Sequence, residues 1–405
     1  MKVLIIHNFH RSGSASGDDQ VFRHEVKMLE NAEVDVLKYT WYTDDFDKKG
    51  KLGKLGAAIS MLWSIKAYRE VRKICAADRP DIVHIHTFFP LLSPSVFVAA
   101  HRSGAKVVQT LHDTRYVCPN AASLCHGTLC NLCMDGKYFR MVKNRCFKNS
   151  AVQSFEVALI FKIHRWYRTF YRNIDCYICL NDEQISLLQK AGFNREKLIK
   201  KYNSVPQVKM TVSKRKLPER YVVYCGRIGE EKGISVLCKT WTCLKDIPLV
   251  IMGAGPQEEI LKKFIADHAE LQIIFLGYVP HNECQFIMKQ AEFVLLPSVW
   301  YEGCSMTVLE AFSLGKPVVA TDIGFMHEAI KEQGMDTVFS IRDCDSMRKI
   351  IRKLWEEREL CQFYGRIALS EYQKKYTEES DIKKLVAIYT GLIDNNKRIT
   401  RNENS

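Results

Sequence analysis

The chain has 405 residues, enough for two cores of ordinary domain size, and its 47% apolar and 26% charged content excludes a disordered or fibrous protein. Its apolar runs fall short of the roughly 20 residues that cross a bilayer, and the first of them, Val3 to Ile6, is too short for a signal peptide, so we expect a cytoplasmic protein. The formal net charge of +13 indicates an anionic partner, and composition alone does not choose among nucleic acid, a phosphorylated substrate and a membrane surface.

Short β-branched runs alternate with longer amphipathic segments along the chain, which is typical of parallel α/β architecture. The runs are almost continuously apolar, so helices should cover both faces of each sheet. Strands are predicted in the first half at 3–7, 82–86, 106–111, 175–180 and 197–202, and in the second half at 221–225, 248–252, 271–276, 293–296 and 317–321.

This order predicts an α/β fold of two Rossmann-like, doubly wound domains facing each other across a cleft. The first domain would span 1–205, and the polar, basic stretch 206–220 is interpreted as a linker. The second would span 221–375, and a helix at 376–395 is expected to pack back on the first domain. Ligands of such sheets bind at the carboxyl ends of the strands, so motifs at these ends carry the functional prediction.

The loop after the first strand contains glycine and leads into a predicted helix. Ser16 and Asp19 have the spacing of a capping box, which places the helix start near Gly17. A glycine-containing loop at a helix start can approach a phosphate closely, so Gly17 is a candidate donor-binding residue. An ordinary flexible loop is the alternative.

Histidines stand at the carboxyl ends of two predicted strands. His84 and His86 end one run, and His112 follows the other in the segment Thr110-Leu111-His112-Asp113. A histidine in this position is titratable and aimed at the ligand crevice. The alternative is a structural role, which we assign to His84 and His86.

The chain contains 15 cysteines, many of them inside apolar runs, where a thiol behaves as a small hydrophobic group. The region from 118 to 146 differs, because one C-x2-C pair there is flanked by further cysteines. Four thiolates can hold a structural zinc ion, and the predicted ligands are Cys118, Cys130, Cys133 and Cys146. A loop of reduced thiols is the alternative.

Basic and aromatic residues are interleaved from Lys137 to Arg172, where nine Lys or Arg accompany one acidic residue, Glu156. A second basic amphipathic stretch runs from Lys48 to Lys73. Such helices suit the anionic inner face of the cytoplasmic membrane. A nucleic-acid surface would have the same charge, but no recognition motif accompanies it, so we expect no nucleic acid. A solvated helix face is the remaining alternative.

In the second half, cations follow one predicted strand and carboxylates follow another. Arg227 and Lys232 lie in the turn Gly226–Gly233, while Glu302 and Glu310 flank a helix start near Ser305. Amide groups at a helix start, together with the helix dipole, favour a diphosphate. A carboxylate such as Glu310 can accept hydrogen bonds from ribose hydroxyls.

These motifs resemble those of the retaining GT-B glycosyltransferases of family 4. Glu302 and Glu310 match the E-x7-E motif of that family. The surrounding segments PS (297–298), YEG (301–303), VLEAF (308–312) and GKPVVAT (315–321) match as well, where Lys316 stands between the glycine and the proline. The turn Gly226 to Gly233 resembles the family's G-R-x-x-x-x-K-G turn, Met252 to Pro256 its G-x-G-P turn, and 110–113 its T-x-H-D segment. The resemblance covers nearly the whole chain.

The resemblance implies a role for each matching residue. His112 would lie beside the transferred sugar, Glu302 would contact the sugar, Glu310 would bind the ribose, and Arg227 and Lys232 would neutralise the diphosphate. His112, Glu302, Arg227 and Lys232 are therefore the candidate catalytic residues. The implied donor-binding set is Gly17, Gly226, Arg227, Lys232, Gly277, Tyr278, Glu302, Ser305, Met306, Thr307, Val308 and Glu310.

The implied reaction is transfer of a sugar, with retention, from a nucleotide-sugar, most commonly a UDP-sugar, to a hydroxyl of a glycan or lipid-linked acceptor in cell-surface polysaccharide synthesis. No cofactor is expected for catalysis, because the cations and helix dipole take the place of a metal ion. Two rival hypotheses remain: a nucleotide-sugar epimerase on the same scaffold, and a non-enzymatic polyanion-binding protein.

Overall fold

The computed structural model describes residues 1–10, 16–44, 59–206 and 210–403, with side chains as far as Asp394. It divides into two compact units. The first consists of Met1–Ser123, Cys130–Asn203 and Glu378–Ser405, and the second of Leu124–Leu129 and Ser204–Thr377. Part of the predicted linker, residues 207–209, lies outside the described residues, as do 11–15 of the loop before Gly17 and 48–58 of the second basic stretch.

The first unit is built on a parallel sheet whose described strands run in the order β2-β1-β3-β4-β7-β8. The direction of winding reverses between β1 and β3, which makes this the switch point of the sheet. The strands are β1 (Lys2–Phe9), β2 (Asp35–Tyr42), β3 (Ile82–Ile85), β4 (Lys106–Thr110), β7 (Cys176–Cys179) and β8 (Leu198–Lys200).

Helices cover this sheet on both faces. In chain order they are α1 (Gly17–Asn31), α2 (Ile65–Asp78), α3 (Ser95–His101), α4 (Arg140–Lys143), α5 (Ala151–Trp166), α6 (Thr169–Arg172), α7 (Asp182–Lys190) and, from the end of the chain, a helix at Glu378–Glu403. Two buried apolar clusters result, one on each face of the sheet, because successive side chains of a strand point to opposite faces.

The second unit repeats the plan with the strand order β11-β10-β9-β12-β13-β14, and its winding reverses between β9 and β12. Its strands are β9 (Val222–Cys225), β10 (Leu249–Met252), β11 (Ile273–Phe275), β12 (Val294–Leu296), β13 (Val318–Thr321) and β14 (Val338–Phe339). Its helices are α8 (Ile234–Trp241), α9 (Glu258–Asp267), α10 (His281–Gln290), α11 (Met306–Ser313), α12 (Phe325–Ile330), α13 (Cys344–Glu356) and α14 (Arg358–Lys375). A two-stranded hairpin, β5 (Leu124–Cys125) with β6 (Thr128–Leu129), groups with this unit.

The prediction of two doubly wound α/β sheets is confirmed, and each predicted strand corresponds to an observed one. Two strands of these sheets were missed, as were both strands of the short hairpin, β5 and β6. The edge strand β2 is mostly half-buried or exposed and carries Asp35 and Lys38, so it lacks the continuous apolar run on which the prediction depended. The strand β14 has two residues and gives no periodic signal.

The capping box predicted at the start of α1 does not form. Ser16 is the residue before the helix, but its side chain makes no capping hydrogen bond. The Asp19 carboxylate instead accepts from Nε2 of His7, at 2.9 Å, so a tertiary contact replaces the local one. The predicted helix start at Gly17 is nevertheless correct.

The last helix, which we call α15 (Glu378–Glu403), completes the core of the first unit. Its Leu385, Ile388 and Tyr389 lie in the apolar cluster formed by β1, α1 and β7. Asp381 on its first turns pairs with the buried Lys201, next to the end of β8. The packing of α15 against β1 places both ends of the described chain in one unit.

Candidate functional site

The switch point of the second sheet lies between β9 and β12, and the predicted donor-site motifs follow these two strands. Gly226 comes directly after β9, and Pro297 directly after β12. Both turns therefore lie at the carboxyl edge of the sheet, where the diverging connections leave a crevice for a ligand. The sequence motifs and the strand order therefore indicate the same site, the carboxyl edge of the second sheet between β9 and β12.

Three turns interlock at this edge. The amide of Ile228 donates to the Ala254 carbonyl at 3.0 Å, joining the turn after β9 to the turn after β10. A Cβ atom at Gly253 would collide with the Gly226 carbonyl, and one at Gly233 with the Pro297 carbonyl. Both glycines have positive φ as well, 143° and 73°, a region that other residues rarely adopt. The glycines thus allow the backbones of the turns to touch and hold their side chains in fixed positions.

Lys232 and Glu302 form an ion pair between the turns after β9 and β12. The Lys232 ammonium lies 2.5 Å from Oε1 of Glu302, which also accepts from Oγ of Ser298 at 2.8 Å and Nε1 of Trp300 at 3.1 Å. Burial raises the pKa of Glu302, but the charge and hydrogen bond of Lys232 outweigh it and hold the pKa below its ordinary value. The carboxylate is therefore ionised and fixed in orientation at neutral pH.

The helix α11 begins beside this pair. Ser305 precedes its first turn without a side-chain capping bond, and the backbone amides of Val308 and Leu309 already bond to the Ser305 carbonyl. By helix geometry the amides that come earlier, such as that of Thr307, have no intrahelical partner. The Thr307 hydroxyl lies 3.5 Å from the carbonyl of Cys225, at the end of β9. The positive end of the helix therefore lies at the switch point.

Glu310 occupies the second turn of α11, with a buried side chain. One of its carboxylate oxygens lies 2.8 Å from Nε2 of His281, the first residue of α10. The hydrogen bond to Glu310 raises the pKa of His281, which is about half exposed. The histidine was not predicted, because it follows a strand end by several residues and belongs to none of the motifs.

A thiol pair ties α10 to β9. The sulfur of Cys284, one turn after His281, lies 3.0 Å from the sulfur of Cys225. The hydrogen bond with Cys284, followed by burial, raises the pKa of Cys225 well above its ordinary value, so this thiol stays protonated. The contact holds the helix that carries His281 against the strand that carries the Gly226 turn.

The remaining predicted donor residues lie at the same edge. The Arg227 side chain is 61% exposed and lies 3.7 Å from Glu231, so its guanidinium can turn toward a ligand. Gly277 accepts from the Gly253 amide at 2.8 Å, and the neighbouring Tyr278 is 68% exposed. The structure brings Gly226, Arg227, Lys232, Gly277, Tyr278, Glu302, Ser305, Met306, Thr307, Val308 and Glu310 to the carboxyl edge of one sheet.

The switch point of the first sheet carries a different group of residues, which we call the histidine network: Glu25, His84, His86, His112 and Lys201. His86 follows β3, and its Nδ1 lies 3.0 Å from Nε2 of His112, which follows β4. Its Nε2 lies 3.0 Å from the Glu25 carboxylate on α1. His112 is therefore part of a buried chain of hydrogen bonds.

His84 and Lys201 complete the network. His84 lies 3.1 Å from the same Glu25 oxygen, and its Nε2 lies 2.8 Å from the Thr110 hydroxyl. The Lys201 ammonium lies 3.5 Å from the other Glu25 oxygen. Glu25, which no sequence motif indicated, is the acceptor that the two histidines and the lysine share.

The ligand atoms of Glu25, His84 and His86 lie within 4.8 Å of one another, the spacing of a metal site. A hydrogen-bonded cluster is favoured instead, for two reasons. The Lys201 ammonium beside Glu25 repels a metal cation, and each imidazole already has a hydrogen-bond partner. Gly17 begins α1 at the same switch point, and among the described residues no atom lies within 4 Å of a Cβ atom built there.

The four predicted zinc ligands lie less close together than the ligand atoms of Glu25, His84 and His86. Among the described side chains, the cysteines of this loop form no group of three ligand atoms within 4.8 Å of one another. Burial and the neighbouring Cys118 and Cys130 raise the pKa of Cys133 to about 12. Zinc binding by Cys118, Cys130, Cys133 and Cys146 stays a prediction, which metal analysis of the purified protein would test.

The two doubly wound sheets are those of the GT-B glycosyltransferases, as solved structures of this class bear out. The chain is similar to HepE of Anabaena in complex with UDP-glucose, with a TM-score of 0.65 and 16% identity over 96% of this chain and 100% of that one. The model described as Glycosyl transferases group 1 matches residues 207–370, and the model described as Glycosyltransferase Family 4 matches residues 23–206. The chain belongs to the group 1, family 4 glycosyltransferases.

Two curated relatives are informative. The putative glycosyltransferase EpsD of Bacillus subtilis is 22% identical over 350 residues, which cover 82% of either chain. The putative teichuronic acid biosynthesis glycosyltransferase TuaC of the same organism is 36% identical over 109 residues, 27% of this chain and 26% of TuaC. For several other relatives, this chain spans less than half of their length.

No helix in the described part of the chain has both the length and the apolar character to cross a membrane.

Proposed function

We propose that this glycosyltransferase moves a sugar, with retention of configuration, from a UDP-sugar to a hydroxyl of a glycan or lipid-linked acceptor in cell-surface polysaccharide synthesis. One observation carries the proposal: Lys232, Glu302 and the start of α11 meet at the switch point of the second sheet. A cation and a helix start together favour a diphosphate. The UDP-glucose in the HepE complex and the teichuronic acid in the name of TuaC support the choice of donor and product class.

In this proposal each group has a chemical task. Lys232, Arg227 and the first amides of α11 balance the charge that grows on the leaving diphosphate, without a metal ion. Glu310 accepts from the ribose hydroxyls, and Tyr278 stacks on the base. Glu302, whose carboxylate is held in orientation by Lys232, Ser298 and Trp300, contacts the sugar.

A thermal-shift screen tests the donor directly. UDP-glucose and other UDP-sugars should raise the melting temperature, because a ligand at 100 times its Kd adds about 2.7 kcal/mol to the free energy of unfolding. GDP-sugars at equal concentration serve as the control for base preference. A chain that no nucleotide or nucleotide-sugar stabilises would contradict the proposal, and turnover of the donor without an acceptor product would indicate an epimerase.

We also propose peripheral contact with the inner face of the cytoplasmic membrane, through one face of α5. Val152, Phe155, Leu159 and Trp166 recur at helical spacing, and their exposed fractions are 78%, 49%, 38% and 79%. The opposite face, with Val157, Ala158 and Phe161, is buried in the core. An exposed apolar stripe beside many lysines and arginines suits insertion among anionic headgroups.

The substitutions Phe155→Glu and Trp166→Glu should together abolish sedimentation with anionic vesicles, because they place two negative charges on the apolar stripe. The wild type should sediment with vesicles of phosphatidylglycerol and phosphatidylcholine and much less with phosphatidylcholine alone. Ile260→Glu is the matched control, since Ile260 is 63% exposed in the second unit. Equal binding of the wild type to both vesicles would reject the electrostatic part.

A further inference from the structure

The histidine network supports an inference that rests on the proposed function and extends it. We infer that Glu25 and His86 are positioning residues: they hold His112 in the tautomer with its proton on Nε2, so that Nδ1 accepts a hydrogen bond from a hydroxyl of the transferred sugar. The chain of contacts is Glu25 Oε1 to His86 Nε2, at 3.0 Å, and His86 Nδ1 to His112 Nε2, also at 3.0 Å.

The first step is the state of Glu25. Burial raises the pKa of this carboxyl, but the neighbouring imidazoles and the Lys201 ammonium outweigh burial and hold the pKa well below its ordinary value. Lys201 is itself buried and pairs with Asp381 as well. Glu25 is therefore ionised, and an ionised carboxylate can only accept hydrogen bonds.

The second step is the state of His86. Its Nε2 faces the carboxylate and so carries the hydrogen atom. Burial lowers the pKa of His86 to about 3, which makes the ring neutral at physiological pH. A neutral imidazole with a proton on Nε2 has only a lone pair on Nδ1. His86 can thus only accept from His112, and His112 must donate from its Nε2.

The third step concerns Nδ1 of His112, the ring nitrogen that does not face His86. Its Nδ1 lies 4.0 Å from the Asp18 carboxylate, too far for a hydrogen bond. Asp18 is 34% exposed and lies at the start of α1. In the neutral form of His112, two acceptors, an imidazole nitrogen and a carboxylate, therefore lie side by side at the switch point. They match a ligand that donates hydrogen from hydroxyl groups, as a sugar does, and disfavour one that offers only acceptors.

The tautomer of His112 is measurable in the free protein. Long-range ¹H–¹⁵N spectra of the full chain with labelled histidine, assigned by comparison with His112→Gln, should place the proton of His112 on Nε2. In His86→Leu the preference for this tautomer should disappear. In His86→Asn it should remain, since the Asn Oδ1 can take the place of the Nδ1 acceptor. A proton on Nδ1 of His112 in the wild type would overturn the inference.

A second test measures kcat for the hydrolysis of UDP-glucose, which serves as the probe. His86→Leu should lower kcat about tenfold, the effect expected for one lost hydrogen bond in a buried site, and His86→Asn should restore most of it. Glu25→Gln should lower kcat in the same direction. His164→Asn is the matched control, because His164 is equally buried and hydrogen-bonded in the same unit but lies outside the network.

The two arms separate this inference from the proposed function. If UDP-sugars fail to bind or react while His112 keeps its proton on Nε2 through His86, the donor assignment fails and the positioning role stands. If UDP-glucose is turned over and both His86 variants match the wild type in kcat and in the tautomer of His112, the positioning role is overturned. A melting temperature for each variant identifies any loss that is due to unfolding.

Discussion

Replacing Lys232 with methionine should lower the turnover of a UDP-sugar by about a hundredfold to a thousandfold, the loss typical of one charge-stabilising group removed from an active site. The ammonium lies in a partly buried position, with 20% of its side chain exposed, so its field acts through little water. Methionine preserves the length and packing of the side chain and removes the charge. The effect should fall mainly on kcat, because negative charge on the diphosphate grows toward the transition state.

The measurement is release of UDP at saturating donor, together with a melting curve. Removal of Lys232 leaves the Glu302 carboxylate buried without its cation, which can destabilise a protein by about 3–5 kcal/mol. The double substitution Lys232→Met with Glu302→Gln removes that unpaired charge. The control is Lys245→Met, at a lysine that is 65% exposed. Wild-type turnover by a folded Lys232→Met variant would refute the assignment.

Replacing Glu310 with glutamine should weaken the binding of UDP-glucose by about tenfold to a hundredfold, because hydrogen bonds to a charged group contribute about 1.5–3 kcal/mol. The carboxylate accepts from His281 on one oxygen and has room for further donors. Glutamine keeps the shape of the side chain, but it replaces one acceptor oxygen with a donor. The loss should appear in the Kd for UDP as well as for the sugar nucleotide, since the ribose is common to both.

Isothermal titration with UDP and UDP-glucose measures this loss. Glu292→Gln is the matched control: Glu292 is also partly buried and ion-paired, with Arg220, but it precedes β12 and so lies at the opposite edge of the sheet. An unchanged Kd in Glu310→Gln would remove the ribose contact from the proposal. A loss of equal size in both variants would indicate a general effect on stability.

Much of the fold follows from the sequence because its strands are buried on both faces. The run Val318 to Ala320 is buried and apolar at every position, which makes it recognisable without any partner. The strand β2 could not be found in this way, since it lies at the sheet edge and its outward residues are polar. Its position depends on pairing with β1, a tertiary contact that no local pattern records.

The site was predictable where its residues lie close together in sequence. Arg227 and Lys232 share one turn, and Glu302 and Glu310 flank one helix start, so each pair falls within one local motif that resembles a motif of the family. Glu25 and His281 were not predicted, because the groups they contact lie 61 and 29 residues away in the chain and no local sequence pattern indicates either contact. His86 was assigned a purely architectural role, and only the contact with His112 indicates a link to the chemistry.

The position of α15 bears on the order in which the chain can fold. Domains generally fold as units while the ribosome still makes the chain, the amino-terminal one first. Here the first unit lacks Leu385, Ile388 and Tyr389 until the whole second unit has been synthesised, and Lys201 has no Asp381 to pair with until then. A nascent chain would therefore hold an unfinished first unit, with an apolar face still uncovered, while the whole second unit emerges and can already be complete.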